Sequence, residues 1–298
     1  MSWQMRAVGA LMRATRKRRF TDPDGGAALL ARPKGDPTPP ARLTRRLLAT
    51  SETLDGFQVH TLRRYGAPRG TRPVVVYLHG GAYISEIVRQ HWDVVAGLVD
   101  ALDVEVQVPI YGLAPQHTAA EARSLVATVL DRLREQGRPA YLVGDSAGGG
   151  LALVAAQQEA ARRGEDSPVV GLTLLAPWLD LSMANPGIDA VEAVDPWLAR
   201  AALREVARVW ADGTPLDDAL VSPLFGDVAG LPPVDLWVGT RDVTQPDCRL
   251  LARRVQDAGG VVRYHEVAGA IHVFPLLPVP EGRAALREIH AHLRSVLG

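Results

Sequence analysis

The sequence predicts an α/β fold: a mostly parallel central sheet with helices on both faces and a helical cap. Three observations point there. Short continuous apolar runs such as "PVVVYLH" (73–79) and "AYLVG" (140–144) have the composition of strands buried on both faces. These runs alternate with longer stretches of helical periodicity, as strand–helix–strand units require. One stretch, about 180–230, breaks the alternation and is long enough to form a lid.

Each element can be justified in order. Residues 1–50 stand apart as an N-terminal cap arm. Trp3, Met5, Val8, Leu11 and Met12 fall near helical spacing and are followed by the basic run "RKRR". They predict either a short amphipathic helix on the domain or a weakly ordered arm. "DPDGG" and "RPKGDPTPP" read as connector. The core occupies 51–298. "FQVHTLRR" (57–64) alternates at period two and reads as a strand, as do 73–79 and "VEVQVPIY" (104–111). Residues 120–137 form a helix ending in glycine. Strand 140–144 leads into a helix from 147 to 164. Strands follow at 169–177, 234–239 and 261–267, with helices over 246–260 and 281–298. Within the insertion, "PWLARAALREVARVWADG" (196–213) is helical.

Composition narrows the function. At 298 residues and 47% hydrophobic, the chain suits one large α/β domain, or one domain with a smaller cap. Lys+Arg and Asp+Glu are both 33, so no excess charge favours nucleic acid. Cys248 is the only cysteine, which rules out an internal disulfide and gives no sign of an oxidising compartment. No run is long enough to span a bilayer, and no signal peptide is read, so a cytoplasmic location is expected. A single short basic block is a weak basis for membrane contact. Lys17 and Lys34 are the only lysines. A P-loop or a Ser-x-x-Lys site therefore cannot be built beyond residue 34.

The chemistry centres on "YLVGDSAGGGLAL" (141–153), where Ser146 sits between a strand and a helix. A nucleophile on so sharp a turn needs small neighbours, and Gly144-Asp145-Ser146-Ala147-Gly148 supplies them. The helix N-terminus also aims N–H groups where negative charge would develop. Serine needs a general base. Of the eight histidines, His60 and His265 lie in strands, and His290 and His292 read as surface residues of the last helix. His272 lies just beyond a strand, at the carboxyl end of the sheet where α/β sites form, and is chosen as the base. The base needs an acid to fix its tautomer; Asp242, just past strand 234–239, is nearer than Asp247. Asp145 reads as a local hydrogen-bonding residue. The glycines of "YLHGGAY" (77–83) can aim amides inward, so Gly80, Gly81 and Ala147 are the expected oxyanion donors. His79 is assigned to anchoring that loop.

As a set, these residues resemble the hormone-sensitive-lipase-like esterases of the α/β-hydrolase class. The resemblance rests on "HGGAY" (79–83), "GDSAGG" (144–149), "YGLAPQH" (111–117), "APWLDLS" (176–182), "SPLFGDVAGLPPV" (222–234), "GTRD" (239–242) and "AIHVF" (270–274). It runs from about residue 70 to the C-terminus. Ala82 departs from the family's H-G-G-G, and "VTQPD" departs from its usual continuation after the acid. The resemblance implies an α/β-hydrolase core capped by the arm and the insertion. It further implies hydrolysis of small carboxylic esters of short to medium acyl chain without metal or cofactor. Ser146 is the implied nucleophile, His272 the base, Asp242 the acid, and Gly80, Gly81 and Ala147 the oxyanion donors. A monomer or homodimer is expected. Two rivals stay open: a ligand-binding protein that keeps the fold without the chemistry, and an amidase or peptidase with the same three residues. Trp3, Met5, Leu11, Met12, Trp197 and Trp210 line an apolar pocket or belong to the core. Cys248 reads as a buried or idle thiol.

Overall fold

Eight strands assemble in chain order: β1 (Leu48–Leu54), β2 (Phe57–Arg63), β3 (Val74–Leu78), β4 (Glu105–Pro109), β5 (Ala140–Asp145), β6 (Val169–Leu175), β7 (Val234–Arg241) and β8 (Val262–Ile271). They form one sheet in the order β1-β2-β4-β3-β5-β6-β7-β8. β1, β2 and β4 pair antiparallel, and β4 through β8 pair parallel. This computed structural model describes every residue except Pro23, Pro68, Arg69 and Thr71, so part of the expected "DPDGG" connector lies outside the described residues. Every residue of β3 and β5 is buried, which accounts for their unbroken apolar or small sequence.

The arm contributes α1 (Trp3–Met12), α2 (Arg18–Thr21), α3 (Gly25–Leu30) and α4 (Ala41–Thr44), with a π-helical turn over Arg13–Lys17 between the first two. The core adds α5 (Arg89–Leu102), α6 (Ala119–Glu135) and α7 (Ser146–Arg163). The insertion adds α8 (Ile188–Val194) and α9 (Arg200–Ala211), and the chain closes with α10 (Gln245–Asp257) and α11 (Pro280–Leu297). Among the described residues, no helix is long and apolar enough to cross a membrane.

Several expectations need correction. The boundary at residue 50 cuts through β1, which pairs with β2 over its whole length. The "GG" of the expected connector begins α3. It does so because α3 lies directly on α9: a Cβ at Gly26 would stand 2.2 Å from the Glu205 carboxylate. α9 buries Ala202, Leu203, Val206, Ala207, Trp210 and Ala211, one face of an amphipathic helix. Arm and insertion thus pack on one another through α3 and α9. His290 is only in part a surface residue: it is half-buried, with its ring beside Gly97 and its Nε2 shielded from solvent.

Two aromatic stacks tie the layers together. Trp210 of the cap is buried face to face on Tyr83, with ring centroids 4.3 Å apart, and Tyr83 also stacks on Trp178. Such pairs add about 0.5–1.5 kcal/mol to the area they bury. Met5 is also core, whereas Trp3 and Leu11 are exposed and belong to neither core nor cavity.

Candidate active site

The site is assembled by the carboxyl ends of β3, β5, β7 and β8. β5 ends at Asp145 and α7 begins at Ser146, so the serine occupies the turn itself with φ +50°. The neighbouring glycines are sterically required. A Cβ at Gly144 would lie 2.4 Å from the Gly148 carbonyl oxygen, and one at Gly148 would lie 2.1 Å from that of Leu78. Neither distance is tolerable, so α7 can press its first turn onto β3 only with glycine there.

The structure brings Ser146, His272 and Asp242 together. Ser146 Oγ lies 2.8 Å from His272 Nε2. On the far side of the ring, Nδ1 lies 2.9 and 3.0 Å from the two Asp242 oxygens. Asp242 is buried, and its Oδ1 also accepts the Thr244 N–H at 3.0 Å and the Thr244 hydroxyl at 2.9 Å. That leaves Asp242 little rotational freedom. Burial alone would push the imidazole down, but Asp242, aided by Asp195 and Asp145, outweighs it and holds the His272 pKa above 6.5. The edge of the Trp197 indole stands against the imidazole at 5.7 Å between centroids.

Gly80 is a correction. Its N–H does not face the cavity; it donates to Asp145 Oδ1 at 3.0 Å. The same oxygen accepts the Tyr77 hydroxyl at 2.7 Å, and His91 Nε2 lies 3.3 Å from the other oxygen. Burial opposes the Asp145 charge, but His91, Tyr77 and the Gly80 amide together hold its carboxyl below the usual range. Asp145 is therefore the hub that pins the loop after β3 to the serine turn. Gly81 and Ala82 line the cavity, and the amides of Gly81, Ala82 and Ala147 donate to no acceptor among the described residues. The departure at Ala82 takes φ +53°, the left-handed region that its family counterpart, glycine, adopts more easily. His79 anchors the loop: it stacks on Tyr111 at 4.5 Å, and its Nδ1 meets the Gly80 carbonyl at 2.7 Å. Burial drives its pKa down to about 4, so it stands there neutral.

A cavity of about 380 Å³ opens over Ser146. Its floor carries Gly81, Ala82, Ser146 and His272, and its walls are Met12 and Phe20 of the arm with Trp178, Trp197 and Leu203. Met12 and Trp197 thus line the pocket, whereas Trp210 and Met5 do not. Cys248 is buried and its thiol pushed up, chiefly by desolvation. Asp195 was not singled out in the sequence. It lies fully buried beside the acid and accepts the Val243 N–H at 2.9 Å. Nothing in the local sequence ties it to the acid, because that bond reaches a residue 48 positions away.

Comparison with known proteins agrees with this fold. Residues 75–276 match the α/β hydrolase fold family. An acetyl-hydrolase of Streptomyces hygroscopicus is 34% identical over 232 residues, spanning 75% of this chain and 76% of its own. An esterase of Acinetobacter venetianus is 29% identical over 72% of this chain and 73% of its own. The crystal structure of an esterase from the bacterial hormone-sensitive lipase family superposes with TM-score 0.81 at 24% identity, over 100% of this chain and 99% of that one. The chain therefore belongs to the α/β hydrolase fold family, and the relatives it matches are esterases and acetyl-hydrolases.

Proposed function

We propose that this enzyme is a serine carboxylesterase that hydrolyses small esters of short to medium acyl chain through an acyl-enzyme. The observation that carries the reading is the unbroken hydrogen-bonded line from Asp242 through His272 to Ser146 at the floor of a cavity. Ser146 Oγ attacks the ester carbonyl as His272 Nε2 takes its proton. Asp242 holds the imidazole with Nδ1 protonated and steadies the imidazolium that forms. The oxyanion accepts hydrogen bonds from the amides of Gly81, Ala82 and Ala147, which donate to no acceptor among the described residues; Gly80 supports them through Asp145. His272 then protonates the departing alcohol. Water enters by the same route, and its attack on the acyl-enzyme releases the acid and restores Ser146.

The cavity size supports the substrate range. At about 380 Å³ it falls near the small end of ligand sites, which run from about 300 to 1,000 Å³. The test is a panel of p-nitrophenyl esters from acetate to laurate beside matched anilides. Short and medium esters should turn over, with activity falling for the longest chains. Ser146→Ala should lower kcat by about a millionfold, since residues of a triad act as a unit. Preference for the anilides would indicate an amidase, and no turnover of either class would indicate a binding protein.

A further inference from the structure

We propose that Asp195, contributed by the cap, is a positioning residue for the reaction: its carboxylate locks the loop bearing the acid and the indole that flanks the base. The proposal rests on the reading of Ser146, His272 and Asp242 given above.

Asp195 is fully buried, in the segment between α8 and α9. Its Oδ1 accepts the Trp197 N–H at 2.6 Å and the Leu198 N–H at 2.9 Å. Its Oδ2 accepts the Val243 N–H at 2.9 Å. The first two bonds shape the cap segment and fix the backbone of Trp197, whose ring edge abuts His272. The third crosses to the core and grips the residue directly after Asp242. One side chain thus couples the two sides of the imidazole: the carboxylate at Nδ1 and the apolar wall beside the ring.

The charge surroundings are unusual for a residue with only a structural role. A purely structural linker here could be neutral, since an amide or hydroxyl also accepts N–H bonds. Instead a second carboxylate is buried next to Asp242. Burial first, and the Asp242 charge second, push the Asp195 carboxyl up to about 6. The groups facing it are few. Asp242 and His272 approach from the core, and Glu192 belongs to its own segment. Lys17 reaches in from the arm; its Nζ donates to the Glu192 carbonyl at 3.0 Å and also to the Leu198 carbonyl. Ionised Asp195 adds its field to that of Asp242 at His272. Imidazolium forms during the reaction, so this field acts when the positive charge develops.

The test uses the full chain with Asp195→Asn, which preserves volume and removes the charge, and Asp195→Ser, which shortens the reach to Val243. In both, kcat should fall about tenfold or more while KM changes little, the pattern of lost alignment and not of lost substrate contact. The acidic limb of kcat/KM, which reports His272 in the free enzyme, should move to lower pH as the field of Asp195 is removed. NMR titration of isotopically labelled His272 without substrate should show the same downward move, so this readout does not depend on which ester is the right one. In the unaltered protein, the Val243 amide should exchange with deuterium slowly. A native limb and kcat in the Asn variant, an unmoved His272 titration, or rapid exchange at Val243 would each overturn the proposal. Loss of thermal stability alone would overturn it too, by reducing Asp195 to a structural linker. If native enzyme showed no Ser146-dependent ester turnover while the titration moved as stated, the esterase reading would fail and the positioning of His272 would stand.

Discussion

Single residues carry the strain of this site. Ser146 and Ala82, both non-glycine, hold φ near +50° on the floor of the same cavity. For Ser146 the strained turn lifts the hydroxyl off the sheet and into reach of His272. For Ala82 the side chain has no comparable task; what matters is its amide. Ala82→Gly should therefore keep the donor and relieve backbone strain of about 1 kcal/mol. The expected result is an unchanged or slightly raised melting temperature with kcat within about threefold of the native value. A clear fall in melting temperature would mean that the alanine methyl packs usefully and outweighs the strain. Asp145 makes the opposite case: a residue that reads as local decoration is the hub joining Tyr77, Gly80 and His91. The Gly80 amide could not be assigned from sequence because its acceptor is 65 residues away.

At the scale of elements, the arm is attached by the chain's two lysines. Lys34 Nζ donates to the Ile84 carbonyl at 3.0 Å and the Ala114 carbonyl at 2.6 Å, joining the arm to the segment just after the proposed oxyanion amides. Lys17 makes the equivalent tie to the cap. Burial lowers both pKa values, against the opposing pull of Asp195 and Glu192 on Lys17 and of Glu86 on Lys34. A compact ammonium suits two converging oxygens better than a planar guanidinium does. Lys34→Met should leave two carbonyls short of a donor and cost about 1–3 kcal/mol in denaturant unfolding. It should also reduce kcat as the loop loosens, and Lys34→Arg should restore only part of either. Equal stability of the Met variant would show that the tie contributes nothing. Elements differed in how legible they were. β3 and β5 could be read because burial on both faces enforces an apolar or small run. β1 could not: as an edge strand most of its residues face solvent, and "LATSETL" carries no apolar alternation. Ser146, Asp242 and His272 were legible because each sits at a strand end with local turn chemistry. Asp195 was not, since its meaning depends on a cap folding back over a distant loop.

Across the whole molecule, buried acids shape the response to pH. Asp247 is buried and accepts from Asn185 Nδ2 at 2.8 Å. Burial, with a smaller push from Asp180, raises its carboxyl to about 7 despite that bond. Asp195 is raised in the same direction. A carboxyl raised in the folded state binds more protons there than in the unfolded chain. Its ionisation therefore drains stability as pH climbs from about 4 to about 7, and the deficit persists above that. Asp247→Asn keeps the Asn185 bond without the buried charge. It should melt several degrees higher than the native protein at pH 8, with the gap closing toward pH 4. An equal gap at both pH values would show that charge is not the cause. The layout of the cavity has an evolutionary consequence. Met12, Arg16, Arg19, Phe20, Leu29 and Arg32 all line it, and among the described residues none is hydrogen-bonded to Ser146, His272 or Asp242. On the proposed reading, chemistry and much of the pocket lining are thus written in different stretches of the gene: these six positions can drift toward new substrates, while Lys17 and Lys34 must stay to hold the cap and the loop.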